Sequence, residues 1–248
     1  MRNKVNDNLS VLAIIPARGG SIRIPGKNTR RLNEIPLIAY TIRAALATSA
    51  IERVIVSTDD QIIAKVALKY GAEVPFTRPV SLAQDSTPDQ PVLCHTLDWL
   101  EENENYVPDI ILHLRPTTPF KTPALLTQVI DRMHHDPEIN LVSTMTKCEG
   151  VFHPYWMYHT AENGCAEPFI EGVKISEYYQ SQLLPPAYRL NGVVDAIRPH
   201  ILYQSNRYRE EKNTALVEVS EKIAMDIDTE FDFQMCEMIM QLQSHQSC

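Results

Sequence analysis

Val11-Leu-Ala-Ile-Ile-Pro16-Ala-Arg18-Gly-Gly-Ser-Ile-Arg23-Ile-Pro-Gly-Lys27 joins two kinds of chain. Its first five residues form an unbroken apolar run, which fits a strand buried on both faces, as in a parallel sheet. The remainder is rich in Gly, Arg and Lys and reads as a loop. A helix is expected over residues 37–48, with Pro36 in its first turn. The alternation then repeats. Residues 53–58 read as a strand, and residues 60–70 as a helix closed by Gly71. A helix from Ser86-Thr87-Pro88 to about Glu101 precedes a strand over 109–114. A helix from Thr122-Pro123 to about His134 precedes a strand over 140–145. Strands alternating with helices predict an α/β fold: a mainly parallel sheet with helices on both faces.

The rhythm stops after Thr146. Residues 148–187 hold Pro, Gly, Tyr and Trp without a long periodic helix, and loops of this length are uncommon unless they serve a purpose. They read as an inserted arm of short strands and loops, used for dimerisation. Strands over 188–196 and 216–220 and a helix over 229–243 complete the chain. The organisation expected is therefore an α/β domain over 11–147 and 188–245, an arm over 148–187, and a flexible polar N-terminus over 1–10.

Composition excludes several classes. With 44% hydrophobic and 22% charged residues the chain reads as globular. A net charge of -8 argues against a nucleic-acid or acidic-membrane partner. MRNKVNDNLS has no apolar h-region behind it, so no signal peptide is expected, and no run is long and apolar enough to span a membrane. The five cysteines are odd in number and form no CxxC, which fits reduced thiols in a cytoplasmic protein rather than disulfides or zinc. His134-His135 reads as a surface pair.

Against that acidic background, positions 18–31 hold five basic residues (Arg18, Arg23, Lys27, Arg30 and Arg31) and no acid. At the chain average of 23 in 248, such a stretch would hold about one. The cations sit after the first strand, where open α/β sheets bind ligands. Gly19 and Gly20 would let backbone N–H groups approach an anion. Arg18 would grip two phosphate oxygens, and Lys27 would add a point charge. Together these suit a triphosphate. GxGxxG is absent, and Gly20 and Gly26 enclose five residues with Asn28 after Lys27, so the P-loop pattern fails. Near the other end, Asp226 and Asp228 stand two apart and would share one side of an extended segment. Two carboxylates so placed suit Mg²⁺, which takes one or two of them plus phosphate oxygens. Acids at a helix start account for them equally well.

The blocks IIPARGGSxRIPGKN, IVSTDD, RPxSLAxD, RPTTPF, YRxNG and MDIDTxxD, in this order from about residue 11 to 240, resemble the acylneuraminate cytidylyltransferases. The resemblance implies a Rossmann-like nucleotidyltransferase fold, CTP and a nonulosonic (sialic-type) acid as substrates, Mg²⁺ as cofactor, and a homodimer whose arm covers the neighbour's site. It places Arg18, Ser21 and Lys27 on the CTP phosphates, and Asn28 and Arg78 near the cytidine. Asp85 would shape the nucleotide pocket, Arg189 and Asn191 would face sugar or phosphates, and Asp226 and Asp228 would bind the metal. Arg18, Lys27 and Asp228 are then the catalytic set. Three positions depart from the family pattern. Ile22 stands where lysine is common, with Arg23 or Lys27 supplying the charge. Arg115-Pro-Thr-Thr-Pro119 stands for QPTSP, and Ser181 stands for an arginine. The last two fall near the expected sugar pocket; they put N-acetylneuraminate in doubt and admit another nonulosonate such as legionaminate or pseudaminate, with Arg115 pairing the sugar carboxylate. CMP-Kdo synthesis, guanylyl transfer and a non-catalytic nucleotide-sugar sensor on the same fold stay open at this level.

Overall fold

The computed structural model describes residues 9–204, 208–210 and 212–246. Most of the stretch expected to be flexible, residues 1–8, lies outside them. Ser10 is tied down: its Oγ donates to Asp109 Oδ2 at 2.8 Å.

The elements follow the expected rhythm. They are β1 (Val11–Pro16), a small hairpin of β2 (Arg31–Leu32) and β3 (Ile35–Pro36), α1 (Leu37–Leu46), β4 (Arg53–Ser57), α2 (Gln61–Lys69), α3 (Asp89–Glu104), β5 (Ile110–His113), α4 (Pro123–His135) and β6 (Leu141–Lys147). Next come β7 (Tyr158–Thr160), β8 (Ala166–Pro168), β9 (Tyr188–Ile197), α5 (His200–Gln204), β10 (Thr214–Glu218) and α6 (Glu230–Gln246). Local chemistry sets several starts. Asp60 caps α2 by accepting from the N–H groups of Ile62 and Ile63, and Thr122 caps α4 by accepting from Leu125, with Pro123 behind it. The β2–β3 hairpin turns through Asn33 and Glu34, both at positive φ, the geometry a two-residue hairpin demands.

Six strands form one sheet in the order β10-β6-β9-β5-β1-β4. β4 and β5 flank β1 in parallel, and β10 is parallel to β6. β9 runs antiparallel between β5 and β6, a reversal that strand composition alone did not reveal. Alternation along β1 divides the core. Val11, Ala13 and Ile15 pack with Ile38, Ile42, Ala67 and Leu126 from α1, α2 and α4. Leu12 and Ile14 pack with Leu93, Leu97 and Leu100 of α3 and Ile201 of α5. Both faces are therefore covered, as an apolar parallel strand requires. A third cluster seats α6: Phe233 and Cys236 pack with Ile24, Leu32, Leu37 and Ile227. It brings the loop after β1 against a segment 200 residues later.

Residues 148–187 carry β7, β8 and four short 3-10 turns outside the main sheet. Among the described residues no helix is long and apolar enough to cross a membrane.

Candidate functional site: a cationic cleft at the switch point

β1 passes to β4 on one side, and the chain then crosses to β5 on the other, so the connections diverge at the carboxyl ends of β1 and β5. A crevice forms at such a point in open α/β sheets. Here it is a cleft of about 560 Å³, lined by residues of the loop after β1, of the 78–89 segment, of the turn after β5, and by Asp228.

Arg18, Ser21, Arg23, Lys27, Asn28, Arg78, Asp85, Arg115 and Asp228 all line it. The cations are satisfied by carboxylates and carbonyls. Arg18 donates to Gly20 O at 2.8 Å and pairs with Asp85. Arg23 approaches Asp228 Oδ2 at 3.1 Å. Lys27 Nζ donates to Ile227 O at 2.6 Å and lies 3.3 Å from Asp228 Oδ1. The loop cations and the late aspartate thus meet in one cleft, although about 200 residues separate Lys27 from Asp228.

The glycines behave otherwise than expected. The Gly19 N–H is taken by Asp59 Oδ1 at 3.0 Å, and a Cβ on Gly19 would sit 2.8 Å from Asp60. Gly19 serves the close packing of the loop on the start of α2, so an open anion nest does not form there. Neither Gly19 nor Gly20 lines the cleft.

Asn28 is buried. Its Nδ2 donates to Arg18 O at 3.1 Å, while its Oδ1 has no partner. Arg78 is buried too, donating to Ser57 Oγ at 3.1 Å and to the Ser57 carbonyl. Burial, with Asp59 opposing it and Arg18 adding to it, lowers its guanidinium to about 10.

Arg115 crosses to Asp89, donating to Oδ2 at 2.5 Å. It lies over Gly192, where φ is +66° and a Cβ would meet Arg115 Nη1 at 2.2 Å. Behind this pair lies a network that the sequence did not single out. Arg209 donates to Asp195 Oδ2 at 2.7 Å, Ser143 donates to Asp195 Oδ1 at 2.6 Å, and the His113 ring stands between Asp195 and Asp89. Burial alone would raise the Asp195 carboxyl; His113, Arg209 and Ser143 instead hold it well below the usual carboxylate range. Asp89 is likewise lowered against the effect of burial, by His113, Arg115 and Arg209. A signal did exist at one of them: His113 is the single polar residue of the otherwise apolar β5.

Two expected site residues stand elsewhere. Arg189 does not line the cleft; its guanidinium pairs with Glu221. Asn191 is buried with its amide spent inside the sheet: Oδ1 accepts from Thr144 at 2.8 Å and from the Val193 N–H, and Nδ2 donates to Thr146. It holds a register shift between β6 and β9.

Asp226 and Asp228 are exposed and flank the fully buried Ile227, as alternation in an extended segment requires. Among the described residues no group of three or more His, Cys, Asp or Glu could hold a metal on its own. Of the two, only Asp228 lines the cleft.

An open α/β sheet that gathers cations and one acidic segment around a crevice at its switch point is the layout of a nucleotidyltransferase. The chain belongs to the cytidylyltransferase family, whose sequence model matches residues 12–246. It is 34% identical over 238 residues to CMP-N,N'-diacetyllegionaminic acid synthase of Legionella pneumophila, covering 94% of this chain and 97% of that one. N-acylneuraminate cytidylyltransferase of Escherichia coli O18:K1:H7 is 27% identical over 95% of this chain, which spans 53% of that protein. Among solved structures, CMP:2-keto-3-deoxy-manno-octonic acid synthetase complexed with CTP superposes with a TM-score of 0.70 at 18% identity. That match covers 94% of this chain and 99% of the other, and it is a likeness of fold.

Proposed function

We propose that this chain activates a nonulosonic acid of the legionaminate type, transferring CMP from CTP and releasing pyrophosphate. The observation that carries the reading is the meeting of Arg18, Arg23 and Lys27 with Asp228 in one cleft. The nearly full-length likeness to a legionaminate-activating relative supports the choice of sugar.

In this reading the sugar's anomeric hydroxyl attacks the α-phosphorus in line. Such transfers depend on positioning and charge stabilisation. Arg18, Arg23 and Lys27 exchange Asp85 and Asp228 for triphosphate oxygens and stabilise the departing pyrophosphate. The unpartnered Asn28 Oδ1 offers an acceptor for a hydroxyl or amino group of the cytidine. Arg115, already oriented by Asp89, receives the sugar carboxylate. Asp226 and Asp228 would hold Mg²⁺, which when bound adds positive charge at the phosphate oxygens and acidifies a hydroxyl beside it. A carboxylate of the same pair accepts the sugar proton.

The arm over 148–187 pairs two copies of the chain. Phe152, Phe169 and Tyr179 on it are each more than half exposed, as side chains awaiting a partner surface are. Sedimentation of the purified chain checks this, with a monomer at micromolar concentration as the contrary result.

The reaction is tested by incubating the protein with Mg²⁺, each of CTP, GTP, UTP and ATP, and a panel of legionaminate, pseudaminate, N-acetylneuraminate and Kdo. The product is read by mass. CMP-legionaminate is the expected main product; transfer to Kdo alone, or from GTP alone, overturns the assignment.

A further inference from the structure

Lys121 ends the turn that follows β5, and it is buried to 6% exposure. Its Nζ donates to the carbonyls of Arg115 and Thr118, both at 2.6 Å, and to Thr118 Oγ1 at 2.5 Å; Thr41 Oγ1 of α1 lies at 3.4 Å. An ammonium has three N–H groups, and three close acceptors meet them, none of them a carboxylate. Burial lowers this ammonium to about 7, with Asp226 opposing and Arg115 reinforcing the shift from farther off. A buried cation of this kind is costly, and an apolar side chain of similar length would fill the space without the desolvation. Packing therefore gives no reason for a lysine here.

What the turn carries does give one. The Arg115 side chain leaves one end of it into the cleft, where Pro116 and Thr117 also form part of the wall. The Thr117 carbonyl accepts the Ile227 N–H at 2.9 Å, and the Ile227 carbonyl in turn accepts from Lys27 at 2.6 Å. The segment bearing Asp226 and Asp228 is thus suspended between the turn and the basic loop. Hydrogen bonds to the Arg115 carbonyl converge from Lys121, from Thr118 Oγ1 at 3.2 Å and from Thr41 Oγ1 at 3.5 Å. Lys121 itself is not part of the cleft wall. It reaches the cleft only through this turn.

We infer that Lys121 is a positioning residue: its buried side chain fixes the 115–118 turn so that the Arg115 guanidinium and the aspartate segment address one substrate. The kinetic part of this rests on the reaction proposed above; the structural part does not.

The test compares wild type, Lys121→Met and the milder Thr118→Val as full-length proteins. In Lys121→Met, kcat is expected to fall at least about tenfold and KM for the sugar to rise about tenfold, while KM for CTP stays within about threefold. A change of this size lies within the roughly 10²-fold that a 1 Å misplacement costs. Thr118→Val should show the same split at about two- to fivefold. In an Arg115→Ala background, Lys121→Met should leave the sugar KM unmoved, because both act on one contact. Hydrogen exchange on the same proteins reads the clamp with no sugar present. The peptide containing Ile227 should exchange at least about tenfold faster in Lys121→Met, with peptides of β1 and β5 unchanged. If wild type turns over no nonulosonate, the reaction reading falls and the exchange result alone decides for Lys121. Unchanged exchange at Ile227, or an equal rise of both KM values, overturns the inference. If Lys121→Met does not fold, Thr118→Val decides by the same measurements.

Discussion

The two ends of the cleft use the same residue types in opposite ways. At the loop end, Arg18, Arg23 and Lys27 face Asp85 and Asp228, carboxylates whose side chains are each 53% exposed. At the inner end, Arg115 and Arg209 face Asp89 and Asp195, and the Asp195 side chain is 4% exposed. Exposed ion pairs contribute about 0–1 kcal/mol, so a polyanion displaces their carboxylates at little cost. Breaking a pair with a buried partner costs about 3–5 kcal/mol, so Arg209 on the buried Asp195 is fixed before any ligand arrives, while the Arg115–Asp89 pair, with side chains 33% and 34% exposed, stands between the two cases. The loop end is arranged to exchange partners and the inner end to keep them.

The largest effect expected from this contrast is on turnover. Arg18→Ala or Asp228→Asn removes a charge from the exchanging end, where one electrostatic group is worth about 10²–10³ in rate. Pyrophosphate release should fall at least about a hundredfold, while the melting temperature stays near that of wild type because only exposed pairs are lost. Near-normal turnover in both variants would remove the loop end from the reaction.

The inner end answers in stability instead. Asp195→Asn leaves Arg209 without its buried partner and should cost about 3 kcal/mol in urea unfolding. The pH dependence has a definite sign. Asp195 titrates lower in the folded chain than in the unfolded one, so its contribution is present above the unfolded value of about 3.9 and is lost as pH falls below it. Wild type should therefore destabilise more steeply than Asp195→Asn as pH falls below about 4. Parallel acid profiles would show that Asp195 carries no such stabilisation. A smaller effect than either is expected of Arg115→Ala, which should raise KM for the sugar about tenfold and KM for CTP far less. Equal changes would move Arg115 off the sugar.

The loop end was legible in sequence because its signals are local. Five cations within positions 18–31 of an acidic chain mark a site whatever the fold. The alternation of apolar runs and capped helices was legible for the same reason, since Asp60 and Thr122 cap with their own side chains. The inner end was legible only at Arg115, because the partners of the others are distant. Asp89 opens a helix, His113 closes a strand and Asp195 lies in β9; only the antiparallel insertion of β9 between β5 and β6 brings them together. That insertion follows from pairing, which no window of residues encodes. Asn191 shows the same limit: a motif marks it, while the sheet turns its amide inward onto Thr144 and Thr146. Gly19 gave a correct residue type for a different reason, the approach of Asp60.

The smallest effect sharpens the contrast most. Asp85 pairs with Arg18 across the cleft, with side chains 53% and 33% exposed. If this pair is a place-holder, Asp85→Asn frees Arg18 for phosphate. The gain is bounded by what an exposed pair is worth, at most about 1 kcal/mol, or about fivefold in affinity. KM for CTP should therefore fall by about two- to fivefold with kcat unchanged. The difference between wild type and variant should also shrink as salt is raised, since screening weakens the pair that the substitution removes. A rise in KM would mean instead that Asp85 itself contacts the nucleotide. The loop end would then be partly fixed like the inner end, and the division between exchanging and permanent pairs would run through Asp85 rather than between the two ends.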